Sequence, residues 1–178
     1  MTAVSRVDLA DPDPRLCVVV LGAGLVLIGL ADVWAFLSMR VVMGVGGACA
    51  DGGPYVSAQS CPDGSGLIVP AVYLMLIGAF ASFYFAAKLE APNVFLVFWA
   101  TLFGALGWNF WEYGLTADPG GWVWGWVICG ALFWLMAAPA LFLMVRLAPG
   151  AGLSWWPRYA VALAVGGALG AWTYDAIV

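Results

Sequence analysis

Leu16 to Met39 reads LCVVVLGAGLVLIGLADVWAFLSM, twenty-four residues with one ionisable side chain, Asp32, apart from a thiol. The hydrocarbon core of a bilayer is about 30 Å thick and takes roughly 20 apolar residues as a helix. The stretch therefore predicts a transmembrane helix. Four runs of the same character follow: Leu67–Ala87, Val94–Gly114, Trp122–Val145 and Tyr159–Ala176. The 178-residue chain as a whole conforms, being 65 % hydrophobic and 9 % charged, with a mean hydropathy of +0.99. Ordinary soluble domains carry about 25 % charged residues, so this chain lacks the polar surface to stay dissolved. The reading is an all-α, polytopic transmembrane bundle with five spans, at about 16–39, 67–87, 94–114, 122–145 and 159–176. It forms a single integral membrane domain over 1–178, with one long loop at 41–66.

The basic residues give an orientation. Arg6 and Arg15 precede the first span, Lys88 follows the second, and Arg146 and Arg158 bracket the last connection. With the N-terminus in the cytoplasm, five of the six basic residues lie inside and only Arg40 lies outside. The positive-inside rule thus predicts an N-in, C-out protein of the cell membrane, inner or plasma. The first span exceeds the 7–15 apolar residues of a signal peptide, and Asp8, Asp11 and Asp13 precede it, so an uncleaved anchor is expected. In this orientation Cys49 and Cys61 face the oxidising side, which predicts a disulfide stapling the outer loop. Closing so short a loop contributes about 3 kcal/mol in the chain-entropy model. Two thiols with no histidine make a poor metal site.

Composition also removes functions. A formal charge of −4 with no basic face excludes nucleic-acid binding. The absence of histidine excludes His-ligated haem and Ser-His or Cys-His nucleophiles. Ser38, Ser57, Ser60, Ser65 and Ser82 have no histidine base, and no catalytic activity of the chain on its own is expected.

Several motifs read as architecture. Cys17 to Gly24 begins like a dinucleotide-binding turn, but its third glycine is missing, so Gly22 and Gly29 are expected to be close-packing positions. Ala162, Gly166 and Gly170 form a small-residue ridge, expected to pack within the molecule. Pro139 interrupts the fourth span and removes a backbone donor. Trp122, Trp124, Trp126, Trp155 and Trp156 fall at span ends as an interfacial aromatic belt.

The polar residues inside the spans are the candidate site, because ionisable groups in a bilayer face protein or water. Asp32, Glu112 and Asp175 lie in odd-numbered spans, each in the outer third, and are expected in one layer. Trp108, Asn109 and Glu112 share a helical face by their spacing. Trp111 flanks the same stretch, Arg40 lies about two turns beyond Asp32, and Tyr113 and Tyr174 add hydroxyls. One arrangement is an outward-opening pocket under the stapled loop, with Glu112 as the proton-exchanging carboxyl because three acids facing one arginine resist full ionisation. The other pairs Asp32 with Arg40 and leaves Glu112 and Asp175 at interfacial water.

The stretch Trp99 to Leu115, WATLFGALGWNFWEYGL, resembles the W-x-x-W-E-x-G pattern in the N-terminal membrane domain of membrane-bound, PQQ-dependent glucose dehydrogenases. Trp108, Trp111, Glu112 and Gly114 occupy the matching positions, and Gly52-Gly53-Pro54-Tyr55 is loosely similar to a Gly-Gly-aromatic pattern between that domain's first two helices. The resemblance implies a five-helix, N-in, C-out unit that helps pass electrons to ubiquinone. Two departures limit it: Val178 falls where the catalytic propeller would begin, and the paired cysteines lie outside the pattern. Neither PQQ nor sugar chemistry carries over, and what is implied is a stand-alone quinone-interacting or anchoring module.

Two functional readings follow. One is a binding module, partnered by the lipid bilayer, that docks a lipid quinone or a redox partner protein through Trp108, Trp111, Asn109 and Glu112. The other is a small ion or proton transporter or channel using Asp32, Glu112 and Asp175, with an assembly subunit of a larger membrane complex as a further variant. No cofactor is firmly implied; a quinone is the candidate.

Overall fold

Five helices build the computed structural model, which describes residues 12–47, 49, 60–116, 121–147 and 154–178. They are α1 (Pro14–Gly44), α2 (Ile68–Lys88), α3 (Val94–Thr116), α4 (Trp124–Leu147) and α5 (Trp155–Ile177). Each is long and apolar enough to cross a membrane, which fits a multi-pass membrane protein.

Two boundaries differ from the sequence expectation by more than two residues, for local reasons. Helix α1 runs five residues beyond Met39 because Arg40 finds its counter-charge inside the bundle and does not end the helix. It starts at Pro14, where the missing N–H costs nothing, and the Asp13 side chain accepts from the Arg15 N–H at 2.8 Å. It stops where Gly46 and Gly47 take φ of +97° and +84°, and the Gly47 N–H folds back to the Val42 carbonyl at 3.0 Å. Helix α5 starts at Trp155, four residues early. Pro157 is tolerated in a first turn, and the Arg158 guanidinium lies 4.9 Å from the centre of the Trp155 ring.

Helix α1 is the hub. It packs along α2 and α5 and touches α3, whereas α4 packs on α3 alone, and the described residues of α3 and α5 do not pack on one another. Glycines set these contacts. Gly24 on α1 faces Gly78 on α2, and a Cβ on Gly78 would lie 2.8 Å from the Gly24 carbonyl oxygen. Gly107 on α3 faces Gly130 on α4 in the same manner. Gly166 and Gly170 of the α5 ridge press on the α1 backbone at Val26 and Leu30, so the ridge is intramolecular packing. Gly29 answers it from α1, against the Leu163 backbone. Gly22, in contrast, is not a packing contact: a methyl group placed on it would meet nothing within 4 Å. Gly24, two residues on, faces α2 instead.

Small residues thus line the closest helix contacts, and large apolar side chains cover much of the outside. Ala31, Ala35, Ala71 and Ala79 are buried, while Ile77, Phe80, Leu135 and Val145 are exposed. A water-soluble protein shows the reverse.

The two ends are tied differently. At one end, Glu90 takes a φ of +51° to turn α2 into α3, Asn93 caps α3 by accepting from the Phe95 N–H at 2.9 Å, and the buried Tyr159 hydroxyl donates to the Pro92 carbonyl at 2.8 Å. At the other end the expected Cys49–Cys61 disulfide is present, with Cα atoms 4.9 Å apart. Ser38 Oγ donates to the Gly64 carbonyl at 2.8 Å, fastening the chain after that bridge to α1. Gly52-Gly53-Pro54-Tyr55 lies outside the described residues. The Trp99 indole of α3 donates at 3.0 Å to the Met136 carbonyl of α4, three residues before Pro139.

Substituting Gly166→Val should push α5 off α1 and lower the thermal midpoint in detergent, at an overpacking cost of about 1–3 kcal/mol. Gly22→Ala should leave that midpoint nearly unchanged. Equal effects of the two substitutions would contradict the assigned packing.

Candidate functional site

The polar residues of α3 meet α1 in a compact knot. Arg40 donates to both carboxylate oxygens of Glu112, at 2.7 and 2.8 Å, the planar two-point pairing that a guanidinium fork favours. Arg40 Nη1 also donates to Asn109 Oδ1 at 3.3 Å, and the Asn109 amide donates to the Phe36 carbonyl at 3.0 Å. Asn109 is fully buried. The Tyr113 hydroxyl donates to the Arg40 carbonyl at 3.3 Å, and the guanidinium carbon lies 5.4 Å from the Phe36 and Tyr113 ring centres. The ion pair keeps about a third of its side-chain surface accessible. Asn109 is satisfied on both sides of its amide, so its role here is to fix the distance between α1 and α3.

Of the other candidates, only Trp108 reaches this knot. Trp111 turns to α4, where its indole donates to the Val127 carbonyl at 3.1 Å and its ring stacks on Trp134 at 5.9 Å. Trp108 is 55 % exposed and lies within reach of the Glu112 carboxylate. Asp175 is exposed at the end of α5, beside Tyr174, which packs against Gly64. Asp32 lies eight residues before Arg40, about 12 Å along the helix, and pairs with no arginine among the described residues. Because α1 continues to Gly44, its midpoint is Gly29, and Asp32 sits about 4.5 Å from that midpoint, not in the outer third. The single acidic layer expected from the sequence is thus split in two.

Asp32 belongs to a second feature. Since α3 and α5 do not meet, a lateral groove of about 330 Å³ opens between them, floored by α1. Gly29, Asp32, Val33 and Phe36 form the floor, Thr101 and Ala105 one wall, and Leu163 and Ala164 the other. Phe36 also lies beneath Arg40, so the knot adjoins the groove toward the C-terminal end of α1. Trp108 and Glu112 continue the Thr101–Ala105 face by helical spacing. One oxygen of Asp32, Oδ1, is buried and has no hydrogen-bond partner among the described residues.

Thr101 and Phe36 escape a sequence reading that follows ionisable residues. The signal is available all the same: Thr101, Ala105, Trp108 and Glu112 are spaced 4, 3 and 4 apart, one face of a helix. Comparison with protein-family models, with curated proteins and with solved structures finds no match to this chain. The likeness to the dehydrogenase membrane domain therefore stands on the sequence resemblance alone. By its own geometry the molecule is a five-helix bundle of membrane type with a lateral groove beside an ion-paired knot.

Substituting Arg40→Met strands the Glu112 carboxylate between two helices, and should cost ~1–3 kcal/mol, less than for a fully buried pair because this one is partly accessible. The double substitution Arg40→Met with Glu112→Leu should recover most of that loss in a thermal unfolding measurement. A double variant as unstable as the single one would remove the ion pair from its holding role.

Proposed function

We propose that this chain is an integral membrane binding module, N-in and C-out in the cell membrane, whose lateral groove docks an amphipathic molecule dissolved in the bilayer. A lipid quinone is the first such molecule to test. The observation that carries the reading is a groove that opens sideways between α3 and α5 with Asp32 on its floor, one oxygen of which is buried and has no partner among the described residues. An unsatisfied polar atom is costly in a low-dielectric setting, and a ligand that reaches it recovers that cost. The remaining lining is apolar apart from Thr101, which suits a hydrocarbon tail or ring. The exposed Trp108 offers an aromatic face next to Glu112. The route of entry is lateral, from lipid, because the groove opens sideways between α3 and α5. Electron transfer would need a partner redox protein.

The place of Asp32 near the helix midpoint favours a second reading, a proton or cation translocator gated by the Arg40–Glu112 pair. The two readings separate experimentally. Protein extracted with its native lipids should carry a stoichiometric amphiphile, identified by mass spectrometry and lost in Ala105→Trp, which fills the groove without altering its polar groups. Identical lipid profiles for the two proteins would end the docking reading. Proteoliposome flux that disappears in Asp32→Asn would establish translocation in its place.

The orientation has its own check. A membrane-impermeant maleimide should label Val178→Cys in intact cells and Asp13→Cys only after permeabilisation; the opposite pattern would invert the topology.

A further inference from the structure

We infer that the end of the bundle at the α2–α3 turn carries a phospholipid site, in which Arg146 of α4 and Arg158 of α5 hold the phosphate of an anionic lipid. The site lies apart from the lateral groove and does not depend on what that groove binds.

Charge sets the sign of the partner. Of the cationic side chains among the described residues, Arg15, Lys88, Arg146 and Arg158 are at this end, and Arg40 alone is at the other. The described acids at this end are Asp13 and Glu90. Asp13 caps α1, Glu90 stands on the α2–α3 turn, and neither forms an ion pair with Arg146 or Arg158. These two arginines make no ion pair and no side-chain hydrogen bond among the described residues.

They come to one depth because α4 and α5 reach this end from opposite directions. Gly107 faces Gly130, and following α3 and α4 from that contact sets Arg146 about level with Ala91. Tyr159 is fastened to the Pro92 carbonyl, so Arg158, its neighbour in the chain, comes to the same turn from α5. Here α3 begins at Val94, α5 begins at Trp155 and α4 ends at Leu147. The ends of membrane-spanning helices lie at the depth of the lipid head groups. The described residues of α4 and α5 do not pack on one another, so the arginines stand on separate helices and a phosphate is a group that can bridge them.

Both side chains are held in place by rings. The Arg146 guanidinium carbon lies 4.7 Å from the centre of the Phe142 ring, and that of Arg158 4.9 Å from the centre of Trp155. A ring attracts the cation through its π face and supplies no oxygen acceptor. The N–H fork that Arg40 spends on Glu112 is therefore unspent in these two, and its geometry matches phosphate oxygens. Exposed Phe142, Val145 and Val161 adjoin the arginines along their helices and offer apolar surface to acyl chains. A zwitterionic lipid brings its own ammonium beside the phosphate, so the basic end selects a lipid of net negative charge.

The test is native mass spectrometry of the full chain, released from neutral detergent after mixing with equal amounts of phosphatidylglycerol and phosphatidylcholine of identical acyl chains. The unaltered protein should retain one phosphatidylglycerol in preference to phosphatidylcholine by about twentyfold, about fivefold for each arginine that reaches the phosphate. Arg146→Gln and Arg158→Gln should each reduce the preference about fivefold, and the double variant should bring it close to parity. Arg15→Gln removes the same charge from the same end, but no ring holds Arg15 among the described residues, and the preference should change by less than about twofold. All three arginines are exposed, and an unchanged thermal midpoint establishes that each variant is folded. Equal retention of the two lipids by the unaltered protein would overturn the assignment, as would a preference that survives the double substitution. A loss in Arg15→Gln as large as in Arg158→Gln would overturn it too, by showing that the whole basic end attracts lipid without a site.

Discussion

Arg40 and Glu112 join two groups of helices at one end, while toward the other end Val94, Val97 and Phe98 of α3 share a core with α1 and α2 and Phe95 packs on Phe80 and Phe83. On one side α5, α1 and α2 are drawn into contact by glycines and alanines; on the other, α3 and α4 form their own close pair. In an apolar solvent there is no hydrophobic force to press one group on the other, and packing alone is weakly directional. The bidentate ion pair, with Asn109 and Tyr113 bonded to the α1 backbone beside it, supplies a direction, a distance and a register. At the opposite end the fixed point is the Tyr159 hydroxyl on the α2–α3 turn.

The groove is a by-product of this arrangement. Gly166 and Gly170 let α5 approach the α1 backbone so closely that α5 follows α1, not α3. Meanwhile Asn109 and Arg40 hold α3 to the C-terminal part of α1. The two walls therefore diverge around a floor that contains Asp32. A bulkier ridge on α5 would set the helix elsewhere and change the groove without touching its polar atoms.

What can be read from the chain alone divides along a physical line. Span number and the Cys49–Cys61 bridge are legible because apolar length and cysteine spacing are local properties. The ridge of Ala162, Gly166 and Gly170 is legible because its spacing already defines a face. The end of α1 is not, because the group that neutralises Arg40 lies 72 positions away on α3. Depth fails for the same reason: counting back from a span end at Met39 puts Asp32 in the outer third, and the structure moves that end to Gly44. Polar neighbours in sequence suggest a polar face for Trp111, whereas a step of about 100° per residue turns it toward α4. Thr101 has no charge to draw notice, and its place in the groove emerges only when α1 and α3 are set side by side.

The contact between α1 and α5 also bears on the order of assembly. Trp34 and its partners on α5 are separated by 136 and 139 positions, so α1, synthesised before α5, waits for it before its indole is bonded. Until then α1 presents Gly29 and an unbonded Trp34 to the lipid. A small-residue helix from another copy, arriving before α5 is synthesised, meets the same surface, and crowded synthesis on one messenger would favour exchange of α5 between neighbouring chains.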